Sequence, residues 1–186
     1  MTIKVFRSDQ LGAPIINGVA GTLITALDAI LVNGYGQVDV SSLSRVSSTA
    51  MVVTASPHGF ETGDAALIAG AGQAEYNGEH VVTVIDSTSY TFAVAGEPAT
   101  PATGSITSKR APGGFSKAFA GTNKAAYRSN DTASLRHYFR VVDAGMTSGG
   151  SREALLTGFV TMSDIDTGTD PFPTTAQYPN GFYWQK

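Results

Sequence analysis

Between Ser48 and Thr107 the sequence breaks into short β-rich runs at regular spacing, and this punctuation constrains the fold more than any other feature. TAMVVTA, AALIAGA, HVVTVID and SYTFAVAG are separated by SPHGFETGD, GQAEYNGE and the tight Asp86-Ser87-Thr88 turn, and GSITSKR closes the set. β-Branched and aromatic residues favour extended backbone, whereas Gly, Pro, Asn and Asp favour turns, so the pattern predicts a small barrel or sandwich. Composition points the same way. Charged residues reach 15%, against about a quarter in an average domain, and 21 glycines with abundant Ser, Thr and Ala fill the gap. A mainly β fold with many turns and a largely covered surface is expected.

The flanks carry different signals. TIKVFR alternates as an edge strand over residues 2–7 before Asp9, Gly12 and Pro14 force a loop. In GTLITALDAILVNGYG the residues Val19, Leu23, Leu27, Ile30 and Leu31 recur at helical spacing, which predicts one amphipathic helix over about 20–32. Thr22 is a candidate cap, Asn33-Gly34 a stop, and Thr25 and Asp28 mark the wet side. Gln37 to Val46 reads as a strand feeding the β-module. GFSKAFAG, NKAAYRS, LRHYFRVVDAG and REALLTGFVTM read as further strands, the last two as a hairpin around Thr147-Ser148-Gly149-Gly150. In that hairpin Leu135, His137, Phe139 and Val141 share one face and Arg136, Tyr138, Arg140 and Val142 the other; one face is expected to meet the helix and the other a neighbouring subunit. Met162 to Asp166 reads as a short helical turn. These signals place an inserted module at 48–107 within a discontinuous domain of 1–47 and 108–186. The final stretch forms an arm whose aromatics, Phe172, Tyr178, Phe182, Tyr183 and Trp184, are too many to leave in water.

Several function classes lose support at once. A net charge of −3 and a pI near 5.5 give no attraction to polyphosphate or anionic membranes. No cysteine is present, so there is no thiolate nucleophile, disulfide framework or Cys-ligated zinc site. The opening residues lack a signal-peptide segment and no run reaches the length of a membrane span, so a soluble protein made in the cytosol is expected. Gly70-Ala71-Gly72 is followed by neither a glycine-helix pattern nor GK[ST], which excludes the phosphate-loop motifs.

Candidate sites are sparse. His58 sits in the PHGFETGD turn, where Asp64 is placed to accept a hydrogen bond from the imidazole, and a turn-stabilising pair accounts for this better than a catalytic dyad. His80 and His137 have no second histidine at ligand spacing. Asp164, Asp166 and Asp170 alternate as hard-cation ligands do, yet Gly168, Thr169 and Thr175 break the EF-hand pattern, and Asx-turns explain the same residues. Lys117, Phe119, Lys124, Tyr127, Arg128, Arg136, Tyr138 and Arg140 mix basic and aromatic residues as single-strand binders do, although a strand pair with one wet face is the simpler reading. Tyr76, Asn77 and Tyr90 offer stacking and hydrogen bonds to a host-surface glycan. Glu61 with Asp64, or Glu75 with Glu79, are the carboxylate pairs that a glycoside hydrolase would need, and no spacing selects either.

Two groups of residues carry a resemblance. HGFETGD followed by AGAGQAEYNGEHVVTVIDSTSYTFAV resembles a small β-module of tailed-bacteriophage virion proteins, likened in shape to the first-catalytic-cysteine half-domain of ubiquitin-activating enzymes. KVFRSDQLGAPIINGVAGTLITALDAILVNGYG, GFSKAFAGTNKAAYRSND and GFVTMSDIDTGTDPFPTTAQ with GFYW resemble phage structural proteins encoded among virion genes, so the likeness spans nearly the whole chain. It implies a homo-oligomeric, non-enzymatic virion component of tail, collar or capsid surface, with other virion proteins as partners. No catalytic residue, cofactor, nucleic acid or membrane is implied, and without cysteine the comparison with the ubiquitin enzyme concerns shape alone.

Overall fold

A computed structural model describes residues 3–143, 153–174, 176–178 and 182–185 of the chain. The protein is mainly β, with antiparallel sheets, one helix and a nearly closed barrel-like sheet. Its contacts fall into two compact units, residues 1–13 with 33–112 and residues 14–32 with 113–186.

The first unit contains β1 (Tyr35–Val46), β2 (Thr49–Thr54), β3 (Ala65–Ala69), β4 (Gly78–Val81), β5 (Thr83–Val84), β6 (Ser89–Ala93) and β7 (Thr107–Arg110). They pair in the order β4-β3-β7-β1-β2-β6-β5. Only Val82 separates β4 from β5, so the two ends of the sheet are consecutive in the chain and the sheet curls nearly shut. Alternation supplies the core: in β2, Ala50, Val52 and Thr54 point inward while Met51 faces out. Leu43, Val52, Phe60, Ile68, Tyr76, Val82, Tyr90 and Phe92 fill the interior, and each such burial contributes about 1.5–3 kcal/mol.

The strand at 37–46, expected on the flank, is β1 in the middle of this sheet, and the closing run is β7 beside it. Cutting at 47 and 108 would remove both and leave two separate fragments of sheet. The unit therefore takes in residues 33–112 together with 1–13, wider than the expected 48–107, and the flanking domain is correspondingly smaller. The strand expected over 2–7 is also absent among the described residues. Residues 3–13 are instead strapped on by side chains: Gln10 Oε1 accepts from Arg7 N–H at 2.9 Å and also bonds the Tyr35 hydroxyl, while Lys4 and Arg7 pair with Glu79 and Glu61. Gly36 makes room for this strap. Its φ is +66°, and a Cβ there would stand 2.5 Å from the Leu11 carbonyl oxygen.

The second unit contains α1 (Thr22–Leu27), which widens into a π-helix over Asp28–Asn33, and strands β8 (Phe115–Gly121), β9 (Lys124–Ser129), β10 (Tyr138–Val142), β11 (Glu153–Met162), β12 (Gly168–Phe172) and β13 (Phe182–Gln185). The order is β12-β11-β10-β9-β8, with β13 end to end with β12 along the outer edge of β11. Leu23, Ile24 and Leu27 pack on Ala125, Tyr127, Val141, Ala154 and Leu156, as the apolar stripe predicts. Val19 departs from it and is 63% exposed. Asp28, expected in water, pairs with Lys117 at 2.7 Å and accepts the Tyr127 hydroxyl at 2.8 Å. Thr22 does not cap. Gly21 occupies the cap position in left-handed backbone, and the Leu23 N–H is met by Asp143 Oδ2 at 3.0 Å.

On the opposite face of the sheet, Tyr138 packs with Phe119, Ala126, Phe159, Met162 and Ile165. The turn after β11 folds Ile165 onto this face. This turn replaces the expected helix at 162–166: Asp164 Oδ1 accepts the N–H groups of Asp166 and Thr167, both at 2.8 Å. Strand β10 begins only at Tyr138, leaving Leu135 84% exposed. The expected hairpin loop at 147–150 lies outside the described residues.

Candidate functional site

The candidate surface starts from the register of β11 on the helix-bearing side. Ala154, Leu156 and Gly158 pair with Trp184, Phe182 and Phe172, and directly opposed residues share a face. The arm therefore docks on its own unit and extends the apolar face that α1 only partly covers. Gly158 is the seat for the first ring: a Cβ there would lie 2.1 Å from Phe172 Cε2. His137 flanks the same ring at 5.6 Å, and Tyr178 meets Phe182 edge-on at 5.8 Å. Between these groups opens a cavity of about 410 Å³ lined by His137, Phe139, Leu156, Gly158, Phe172, Pro173 and Phe182 among others.

Docking leaves much of the aromatic surface in water. Phe172, Tyr178, Phe182 and Trp184 remain 43–51% exposed, whereas Tyr183 is half-buried and opposes Leu155 on the other face. Among the described residues the cavity lining is largely apolar, which suits it to seating apolar groups.

The other expected sites resolve into structural roles. His58 is buried, with Nδ1 accepting the Phe60 N–H at 3.0 Å, which leaves Nε2–H to donate to the Asp86 carbonyl at 3.0 Å. Its expected partner Asp64 lies instead against Arg110 at 2.7 Å and accepts the Glu61 N–H. Aromatic packing explains the difference, since Phe60 and Tyr90 each sit 5.2 Å from the imidazole. His80 stacks on Phe92 at 4.0 Å, bonds the Tyr76 carbonyl, and has its pKa pushed down by burial.

The residues expected to hold a glycan are not available to one. Tyr76 and Tyr90 are fully buried, with Tyr90 bonded to Ser108 at 2.6 Å and its pKa pushed up to about 12 by desolvation. Asn77 spends its amide on the backbone of Ala71 and Gln73. The carboxylate pairs are neutralised: Glu61 faces Arg7, whose hydrogen bond holds its pKa below the usual range, Asp64 faces Arg110, and Glu79 faces Lys4. Glu75 is exposed in a 3-10 turn, Ala74–Tyr76.

Asp164, Asp166 and Asp170 do not converge on a cation. Asp164 closes its turn, Asp166 pairs with Lys124, and among the described residues no group of three or more His, Cys, Asp or Glu is placed to hold a metal ion. The basic and aromatic residues split between faces, with Lys117 and Tyr127 on the helix side and Arg128, Tyr138 and Arg140 opposite. They form no single stacking platform.

Three contacts had no local signal. Arg110 and Asp64, 46 positions apart in sequence, form a buried pair with Arg110 over the rings of Phe60 and Tyr35 at 5.4 and 5.9 Å. Asp143 caps a helix 120 residues away, and Gly158 seats Phe172. The aromatic residues of the strip, by contrast, form a visible cluster in the sequence. In comparisons with protein-family models, curated proteins and solved structures, nothing matches this chain.

Proposed function

We propose that the protein is a non-enzymatic structural component of a tailed-bacteriophage virion, made in the host cytoplasm and held at the tail, collar or capsid surface by its second unit. The observation that carries this reading is the aromatic strip. Four aromatic side chains left 43–51% exposed beside an apolar cavity of about 410 Å³ form the kind of patch that marks a protein contact. Aromatic anchors of this kind dominate the energetics of subunit interfaces. The resemblance of GFVTMSDIDTGTDPFPTTAQ and GFYW to virion proteins supports the location, since those segments supply Phe172, Phe182 and Trp184.

The test is incorporation of a Phe182→Ala/Trp184→Ala variant into particles, quantified by mass spectrometry of purified virions. Loss of one aromatic anchor worth about 2 kcal/mol weakens binding roughly 30-fold, so the double variant is expected to be almost absent from particles. Full incorporation of a folded variant would overturn the proposal.

A further inference from the structure

Arg128 and Arg136 stand out because each is tied to the segment that carries the other. Arg128 Nε donates to the Arg136 carbonyl at 2.9 Å and Nη1 to the Tyr138 hydroxyl at 3.2 Å, with the guanidinium 5.0 Å from the Tyr138 ring centroid. Arg136 Nε donates in turn to the Ser129 carbonyl at 3.2 Å. Each guanidinium is thus tied to the backbone of the segment that carries the other, and both are half-buried. Among the described residues neither has a carboxylate within 4.0 Å. Asp131, nearby in sequence, accepts the Ala133 N–H instead.

Partly burying two guanidinium groups on adjoining segments is less costly when an anion completes the arrangement. Arg136 is moreover held at φ +55°, a conformation L residues rarely adopt. The remaining Nη N–H groups have no protein acceptor among the described residues and are suited to carboxylate oxygens, which a guanidinium binds in a two-pronged geometry.

We propose that Arg128 and Arg136 receive Asp164 and Asp170 of a second copy of this chain across a two-fold axis. Both aspartates are exposed and neither has a cation partner among the described residues, whereas Asp166 between them is taken by Lys124. Backbone hydrogen bonds, led by that from Asp166, hold the Asp164 carboxyl below its ordinary range, so it is ionised at neutral pH. Both clusters belong to the second unit, so a two-fold axis forms the contact twice. A nucleic acid fits less well, because a net charge of −3 repels a highly charged polyanion more strongly than it repels a second copy carrying the same −3. The inference goes beyond the virion reading and stands whether or not the protein works in a particle.

The test is the mass of the full chain by sedimentation and light scattering. The wild type is expected to be a dimer that dissociates as salt rises. R128E/R136E and D164R/D170R are each expected to be monomeric, and mixing the two restores a dimer, because both halves of the mixed contact are then oppositely charged. If a reversal variant fails to fold by thermal melt, R128Q/R136Q replaces it, with dimerisation at least about ten-fold weaker. Monomeric wild type at every salt concentration, dimerisation indifferent to the substitutions, or failure of the mixture to reassociate overturns the proposal. So does a wild type that binds a single-stranded oligonucleotide through these arginines without self-associating.

Discussion

The two units solve the edge problem of a β-sheet in opposite ways. In the first, the end strands β4 and β5 are joined by Val82, so closure leaves little unpaired edge and the apolar residues point into one interior. In the second, the sheet stays open: β8 ends it on one side, and the broken pair β12 and β13 ends it on the other. The first unit needs no neighbour to finish its core. The second spends its late aromatics on a face that its own helix covers only in part, and that surplus is what a partner can use.

Substitutions separate these two designs, beginning with the largest effect. Asp64→Ala leaves Arg110 buried without its counter-charge, with side-chain exposures of 6% and 10% for Arg110 and Asp64 in the intact pair. A loss of about 3–5 kcal/mol in denaturant unfolding is expected; a loss under 1 kcal/mol would show that the first unit does not depend on the pair. Leu23→Ala opens a cavity under α1, at a residue 1% exposed, and costs about 3 kcal/mol. Hydrogen exchange should place that loss in residues 113–129 and leave 49–93 unchanged, which breaks the comparison if both regions loosen together.

Asp143→Ala removes a fully buried carboxylate from the start of α1. The expected cost is about 2 kcal/mol, read as early opening of the helix amides in exchange measurements. Phe182→Ala/Trp184→Ala is expected to cost about 1 kcal/mol or less in thermal unfolding, since both rings are 44–45% exposed. A much larger loss would make the strip part of the unit's own core.

The smallest effect concerns pH. Burial lowers the His80 pKa below its ordinary 6.5, so the unfolded chain binds the proton more readily. The associated stability is present above pH 6.5 and is lost as pH falls through the folded-state value. A His80→Gln variant should show a flatter stability profile below that pH; an unchanged slope would assign the acid sensitivity to other groups.

What was legible in the sequence was local. The stripe of Leu23 and Leu27, the Asn33-Gly34 stop, the regular β-rich runs and the final aromatics each depend on neighbours a few positions away, and each reappears in the structure. Long-range choices were not legible. Gln37 to Val46 reads equally well as a flank or as the middle of a barrel, and only its pairing with β7 decides. His58 had Asp64 six positions on, yet the aspartate goes to Arg110 because a buried guanidinium needs a charge more than an imidazole inside an aromatic cluster does. TIKVFR alternates as a strand should, but Gln10 satisfies its backbone from the side.

The proposed surface of assembly is the second unit. Deuterium uptake of the protein, compared free and within purified particles, tests this directly. Residues 168–172 and 182–185 should become protected in the particle, while residues 55–64 and 95–106 of the first unit exchange as they do in the free protein. Protection confined to the first unit, with the aromatic strip unchanged, would contradict it.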